Sequence, residues 1–266
     1  MTIPLAVTTA VKPNAAVETQ AHGLAAELGA PFVPRLGRPL PQIFAETQAA
    51  RLLISGADHL RLRDGATGTE YYFHPNMFLI RGSNALRGVP DHFLEATTLG
   101  AGDTLLDCTL GFASESALAS LIVGESGRVI GLESAPALAA VARVGVRDFP
   151  MSSPVLGAAL RRVQVMTADH GDYLRGCAAR SFDVVYFDPF FDKRLTGSEA
   201  SVSPLFVFGD PSPLDPAAVQ EACRVARRHV VIKHPRHEPL STAISALVTE
   251  TVGSRKSRLV YAVIGL

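Results

Sequence analysis

From Asp103 onward the chain alternates short apolar runs with helix-forming stretches, and it closes on two strand-length runs separated only by a tight turn. Thr104 to Cys108, Arg128 to Glu133, Val163 to Thr167, Phe182 to Phe187 and His229 to Lys233 have the length and near-continuous apolarity of strands buried on both faces. Helices are expected from Ser114 to Val123, Pro136 to Val146 and Pro216 to Ala226. Strands alternating with helices imply an α/β fold with a doubly wound sheet. The final runs, Leu247 to Val252 and Leu259 to Ile264, flank Gly253-Ser254-Arg255-Lys256-Ser257, and strands so closely spaced pair antiparallel. The sheet therefore ends in an antiparallel hairpin.

The preceding stretch has a different texture. Ile3 to Thr9 is β-rich, Asn14 can cap a helix that Gly29 stops near Leu28, and a Pro-rich connector follows (Pro31, Pro34, Pro39, Pro41). Leu52 to Ser55, Leu60 to Arg63 and Tyr71 to His74 are short strands, with a turn at Asp64-Gly65 and a stop at Pro75. Residues 1–99 are accordingly expected to form a smaller N-terminal α+β domain, and residues 100–266 the α/β domain.

Bulk properties narrow the function classes. Basic and acidic residues number 25 each, so any nucleic-acid partner must be met by a local patch and not by overall charge. Cys108, Cys177 and Cys223 are an odd count without a C-x-x-C pair, which speaks against a disulfide framework or a zinc site. His22, His59, His74, His92, His229, His234 and His237 show no ligand spacing with acids or cysteines, so no metal is expected. No apolar run reaches the ~20 residues that cross a bilayer, and the N-terminus lacks a signal-peptide pattern. The expectation is a cytoplasmic protein with reduced thiols and no membrane partner.

In open α/β sheets ligands bind beyond the carboxyl ends of the strands, so the residues just after each strand carry the chemistry. The first strand is followed by Asp107-Cys108-Thr109-Leu110-Gly111-Phe112-Ala113-Ser114-Glu115, where Gly111 lets backbone approach a ligand closely. No Lys-Ser/Thr pair follows for a triphosphate, which argues against an NTPase. Taken alone, an ordinary tight turn accounts for this segment equally well. Glu133, with Ser134 beside it, ends the second strand, where an acid can accept hydrogen bonds from both hydroxyls of a ribose. Asp169-His170-Gly171-Asp172 follows the third strand; Asp169 can accept a hydrogen bond from an adenine amino group, His170 can pack beside the ring, and helix capping competes for either Asp. The sharpest signal is Asp188-Pro189-Phe190-Phe191 after the fourth strand, because an acid, a proline and aromatics at the mouth of a sheet are poorly explained by packing. Proline there removes a donor and fixes the backbone.

Together these segments resemble class I S-adenosylmethionine-dependent methyltransferases, whose Rossmann-like sheets also end in an antiparallel hairpin. Asp188 through Phe191 is similar to the Asp/Asn-Pro-Pro-aromatic signature of enzymes that methylate exocyclic amines. More narrowly, Val184 through Phe191 and Val230-Val231-Ile232-Lys233-His234-Pro235 look like the bacterial 16S rRNA (guanine-N2) methyltransferase family and its Gram-positive relatives. Val7-Thr8-Thr9 and Gly29 through Arg35 look like those relatives too. Ala113 stands where a second glycine is usual, and His234 where arginine is usual.

The resemblance implies S-adenosylmethionine as cofactor, held by Asp107, Thr109, Gly111, Ala113, Glu115, Glu133, Ser134, Asp169, His170 and Asp188. It implies catalysis by Asp188, Pro189, Phe190 and Phe191, with carbonyl oxygens accepting the amine hydrogens and an aromatic ring stacking on an unpaired or flipped base. The implied substrate is guanine N2 in small-subunit rRNA, as free RNA or as a ribosomal subunit. The segment from Asp192 to Pro213 reads as a lid in which Lys193 and Arg194 can meet phosphate. A basic concentration at Arg224, Arg227, Arg228, Lys233, Arg236, Arg255, Lys256 and Arg258 is compatible with an RNA-facing side, and equally with ordinary solvation. Methylation of a small molecule or another nucleic-acid amine, and an inactive cofactor- or RNA-binding module, remain open alternatives. A nicotinamide oxidoreductase is disfavoured by the terminal hairpin.

Overall fold

The computed structural model describes residues 3–190 and 204–266. The chain begins with β1 (Leu5–Thr9), α1 (Ala15–Leu28), α2 (Leu40–Thr47), β2 (Arg51–Ser55), β3 (Leu60–Asp64) and β4 (Glu70–Tyr72). It continues through α3 (Asn76–Leu86), α4 (His92–Thr97), β5 (Thr104–Asp107), α5 (Ser114–Val123), β6 (Arg128–Glu133) and α6 (Pro136–Asp148). Then follow α7 (Pro154–Arg161), β7 (Gln164–Thr167), α8 (His170–Gly176), β8 (Phe182–Phe187) and α9 (Pro204–Phe208). The last elements are α10 (Pro216–Val225), β9 (Ala226–Pro235), α11 (Thr242–Ser245), β10 (Glu250–Val252) and β11 (Leu259–Gly265). Contacts group these into two units, one from Met1–His74, Ala135–Phe149 and Ser198–Gly209, the other from Pro75–Ser134, Pro150–Gly197 and Asp210–Leu266.

The first unit is built on a four-stranded sheet in the order β1-β2-β3-β4, with β1 parallel to β2 and the others antiparallel. Both faces are covered. Leu52 and Ile54 pack with Ala6 and with Ile43 of α2, while Ser55, on the other face, donates to the Val17 carbonyl of α1. Asn14 caps α1 by accepting from the Val17 N–H at 3.0 Å, and Gly29 ends it at φ 59°, as the sequence anticipates. The Pro-rich connector is partly helical: Pro39 is the N-cap of α2 and Pro41 lies in its first turn, where the missing N–H costs nothing.

The second unit carries a seven-stranded sheet in the order β10-β11-β9-β8-β5-β6-β7. Strands β5 to β9 are mutually parallel, and β11 runs antiparallel between β9 and β10. This is the doubly wound, Rossmann-like sheet with a closing antiparallel pair that the sequence implies. Two boundaries differ from expectation at the end of the chain. Residues 242–245 form α11 and β10 begins only at Glu250, so the run from Leu247 is half turn and half strand.

Alternation divides the side chains of this sheet between two layers. Leu106, Val185, Phe187, Val230 and Ile232 lie in one apolar layer with Leu174 of α8 and Val219, Ala222 and Val225 of α10. Asp107, Tyr186, Lys233 and Tyr261 occupy the opposite alternation, where Phe93 of α4 meets the Tyr186 ring edge-on at 5.0 Å. The second layer is therefore the one in which polar groups gather at the rim of the sheet.

Candidate active site

The chain reverses direction across the sheet between β5 and β8, since β6 and β7 lie on one side and β9 on the other. Such a switch opens a crevice beyond the carboxyl ends of the strands. Hydrogen bonds tie the four loops at this rim together. The Leu110 N–H donates to the Leu132 carbonyl at 2.9 Å, bringing the turn after β5 over the end of β6. The Ala168 N–H donates to the Glu133 carbonyl at 3.0 Å, which sets Asp169 one residue beyond Glu133's neighbour. On the other side, the Asp188 N–H donates to the Thr109 hydroxyl at 2.6 Å. Gly111, Glu133, Asp169 and Asp188 thus follow four adjacent parallel strands at one edge.

The turn after β5 is unusually shaped. Gly111 and Ala113 both have left-handed backbone, at φ 52° and 56°, and Ala113 is fully buried. The position where a second glycine is usual therefore does adopt the conformation glycine favours, at a cost of ~1–2 kcal/mol for alanine. Beneath the turn, Asp107 is buried, accepting from the Ser116 hydroxyl at 2.6 Å and the Thr109 N–H at 3.0 Å. Burial pushes its carboxyl up to about 7, against the pull of those two donors.

Lys233 is the residue whose position sequence reasoning misjudged. Read as part of a basic surface, it instead lies in the polar layer, because the register that pairs Ile232 of β9 with Phe187 of β8 sets Lys233 beside Asp188. Its Nζ is 2.7 Å from Asp188 Oδ2 and 3.3 Å from Glu115 Oε1. Glu115 also accepts from Arg81 at 2.7 Å, and Arg81 grips Asp91 with two hydrogen bonds of 2.8 and 2.9 Å. The result is a chain of charges, Asp91–Arg81–Glu115–Lys233–Asp188, running from the start of α4 to the end of β8. Burial raises Asp188 to about 6 despite Lys233, with Glu115 adding to the rise. Burial would raise Glu115 as well, but Lys233 and Arg81 outweigh it and hold the acid below its ordinary range. Both carboxylates in turn raise Lys233 against its burial.

Arg81 and Asp91 fall in a stretch where the sequence shows no periodicity, so no signal marked them. A lysine at the end of an apolar strand, across from an acid at the end of the next one, was the available signal for Lys233. Tyr186 adds a buried hydroxyl with no hydrogen-bond partner among the described residues.

The remaining sites fall at the same rim. Glu133 is half-buried at the end of β6, with Ser134 exposed beside it. Asp169 is exposed and is the N-cap of α8, its Oδ1 accepting the Asp172 N–H at 2.9 Å, so the capping role weighed for it is real. His170 stands edge-on to Phe187 with ring centroids 5.7 Å apart. Pro189 and Phe190 are half-buried beyond Asp188. Phe191, Lys193 and Arg194 lie outside the described residues, as does the first part of the segment read as a lid.

No protein-family model matches the chain. Over 227 residues it is 34% identical to the uncharacterised protein YpiP of Bacillus subtilis strain 168, covering 85% of this chain and 87% of that one. In structure it is similar to the SAM-dependent methyltransferase NGO1261 of Neisseria gonorrhoeae, with a TM-score of 0.63, 16% identity, and 97% and 95% of the two chains covered. What those two chains share at that identity is the fold.

Proposed function

The chain belongs to the family of Bacillus subtilis YpiP, and we propose that it is an S-adenosylmethionine-dependent N-methyltransferase acting on an exocyclic amine of a nucleobase, guanine N2 of small-subunit rRNA in the first place. The observation that carries this reading is the placement of Asp188-Pro189-Phe190 at the switch of the sheet, tied through Thr109 to the turn after β5.

The residues present suit the cofactor. The left-handed turn at Gly111 and Ala113 brings backbone close to the rim, Glu133 stands where ribose hydroxyls are held, and Asp169 and His170 flank the place for adenine. The charge chain suits it too: three carboxylates (Asp91, Glu115, Asp188) face two cations (Arg81, Lys233), an excess of negative charge that favours a sulfonium over the neutral thioether left after transfer. When bound, S-adenosylmethionine supplies an activated methyl group, so the chain needs no nucleophile of its own.

An exocyclic amine is a poor nucleophile because its lone pair is delocalised into the ring. The Asp188 carboxylate and the carbonyls of Asp188 and Pro189 accept its hydrogens and favour a pyramidal nitrogen, an interaction strongest in the transition state. Proline at 189 has no N–H to compete for those acceptors. Phe190 offers a stacking face of the kind worth ~1–3 kcal/mol per base. Asp107, Thr109 and Glu115 hold the turn and Asp188 in register. The unit built on the four-stranded sheet is proposed as a docking domain for RNA and the unit carrying the seven-stranded sheet, to which Arg81 and Asp91 belong although they precede residue 100, as the catalytic domain, in a cytoplasmic enzyme. Mass spectrometry of rRNA nucleosides from a deletion strain tests the reading, which predicts one missing N2-methylguanosine and is overturned by an unchanged methylation pattern.

A further inference from the structure

The basic residues gathered near the end of the chain divide into two sets by what they touch. Arg224 donates to the carbonyls of Cys177 and Leu174 at 2.8 Å and pairs with Glu221. Arg227 pairs with Asp183 at 3.2 Å, and Arg228 with Asp103 at 2.6 Å. These two sit at the start of β9, at the edge of the sheet away from Asp188. Lys233 is committed to Glu115 and Asp188. Four of the eight cations are thus spent inside the fold.

The other four lie together at the opposite end of the same strand. Arg236 directly follows the end of β9 and reaches the turn between β10 and β11. Its backbone N–H donates to the Arg258 carbonyl at 2.8 Å, and its guanidinium donates to Ser257 at 3.2 Å and Ser254 at 2.7 Å. His92 accepts from the Ser254 N–H at 3.2 Å and steadies the turn from α4. On this strut Arg255, Lys256 and Arg258 are all exposed, and none has an acidic partner among the described residues. Arg236 comes three residues after Lys233, which puts the turn ~10 Å beyond the Asp188 ion pair along the strand direction. That places an unneutralised cluster at the catalytic rim of a protein whose basic and acidic residues are equal in number.

We propose that the turn between β10 and β11 is a contact surface for the phosphate backbone of an RNA substrate, with Arg255, Lys256 and Arg258 supplying the charge and Arg236 holding the turn in shape. This rests on the nucleobase reading above and adds to it the place where nucleotides flanking the target base are held. Cations spent on internal carboxylates and carbonyls cannot release counterions from RNA, whereas free ones at a rim can. Their position next to the site, and not on the far edge, makes them act on substrate binding and leave the cofactor alone.

The test compares the full chain with the triple variant Arg255→Gln, Lys256→Gln, Arg258→Gln, using a labelled hairpin of small-subunit rRNA sequence in a salt series. The variant should bind about tenfold or more weakly, with the slope of log affinity against log salt reduced by about two, as loss of three single-strand phosphate contacts requires. Cofactor affinity by calorimetry and the melting temperature should not move. An unchanged slope, or a wild-type protein whose RNA affinity ignores salt, overturns the proposal. Methyl transfer to unmethylated ribosomal RNA, measured alongside, separates the two claims. Transfer by both proteins with equal KM sinks the surface alone, whereas salt-dependent binding without transfer by the wild type sinks the catalytic reading alone.

Discussion

Lys233 Nζ sits 2.7 Å from Asp188 Oδ2 and within 3.3 Å of Glu115 Oε1, so one ammonium neutralises acids from two different elements at the mouth of the sheet. The pairing pulls against burial, which together with Glu115 raises the Asp188 carboxyl to about 6.

Replacing Lys233 by Met leaves Asp188 and Glu115 facing each other without a shared cation. Breaking a buried pair in this way costs ~3–5 kcal/mol. Urea denaturation should show that loss, and Lys233→Arg should recover most of it.

Asp188→Ala should abolish methyl transfer to ribosomal RNA while cofactor affinity, measured by calorimetry, stays nearly intact. A collapse of cofactor affinity would move Asp188 from the amine to the cofactor.

Transfer should depend on pH through the same carboxylate. The amine needs an ionised acceptor, and Asp188 titrates near 6, so kcat/KM should rise with pH and level off above about 6. Lys233→Met should carry that limb to higher pH. A limb that stays in place in the variant would assign the titration to another group, with Asp107, Glu115, Tyr186 and Tyr261 the acids nearby.

Asp107 makes a separate prediction about stability. Its folded value, about 7, lies above the range of an unfolded carboxyl, so the wild type loses stability as pH rises from about 4, where unfolded aspartates titrate, toward 7. Asp107→Asn removes this loss. Its melting temperature should gain on the wild type across that window and run parallel to it at higher pH.

Ala113→Gly sets three effects against one another. Relief of the left-handed backbone returns ~1–2 kcal/mol, loss of a buried methyl removes ~0.8 kcal/mol, and the freer unfolded chain removes ~0.4–1 kcal/mol. These nearly cancel, so stability should change by less than about 1 kcal/mol by the sum of these terms. A β-branched residue has no such compensation, and Ala113→Val should be strongly destabilised in the same urea titration.

The sheet was legible because strands buried on both faces are written as near-continuous apolar runs. The spans of β6 and β8 are those expected from sequence, as is that of α5. Helices α3 and α7 left no such trace. Asn76–Leu86 contains Gly82, Ser83 and Asn84, weak helix formers, and α3 is held by packing; a Cβ on Gly82 would come within 2.8 Å of Leu156 on α7. Among the site residues, those directly after strands could be read from position alone. Arg81 and Asp91 could not, since their meeting with Glu115 depends on how α3 and α4 lie against α5. Lys233 was visible as a cation but not as a partner, because the register of β9 on β8 decides which rim residue it faces.

Strand β11 lies between β9 and β10, although both precede it in the chain. During synthesis β10 therefore has no neighbour to join until the residues after it have left the ribosome. Until then the edge of β9, and Lys233 with it, stays open. A nascent chain stalled before Leu259 would display an unsatisfied sheet edge, the sort of surface that pairs with other chains, so its solubility should hinge on the synthesis of β11.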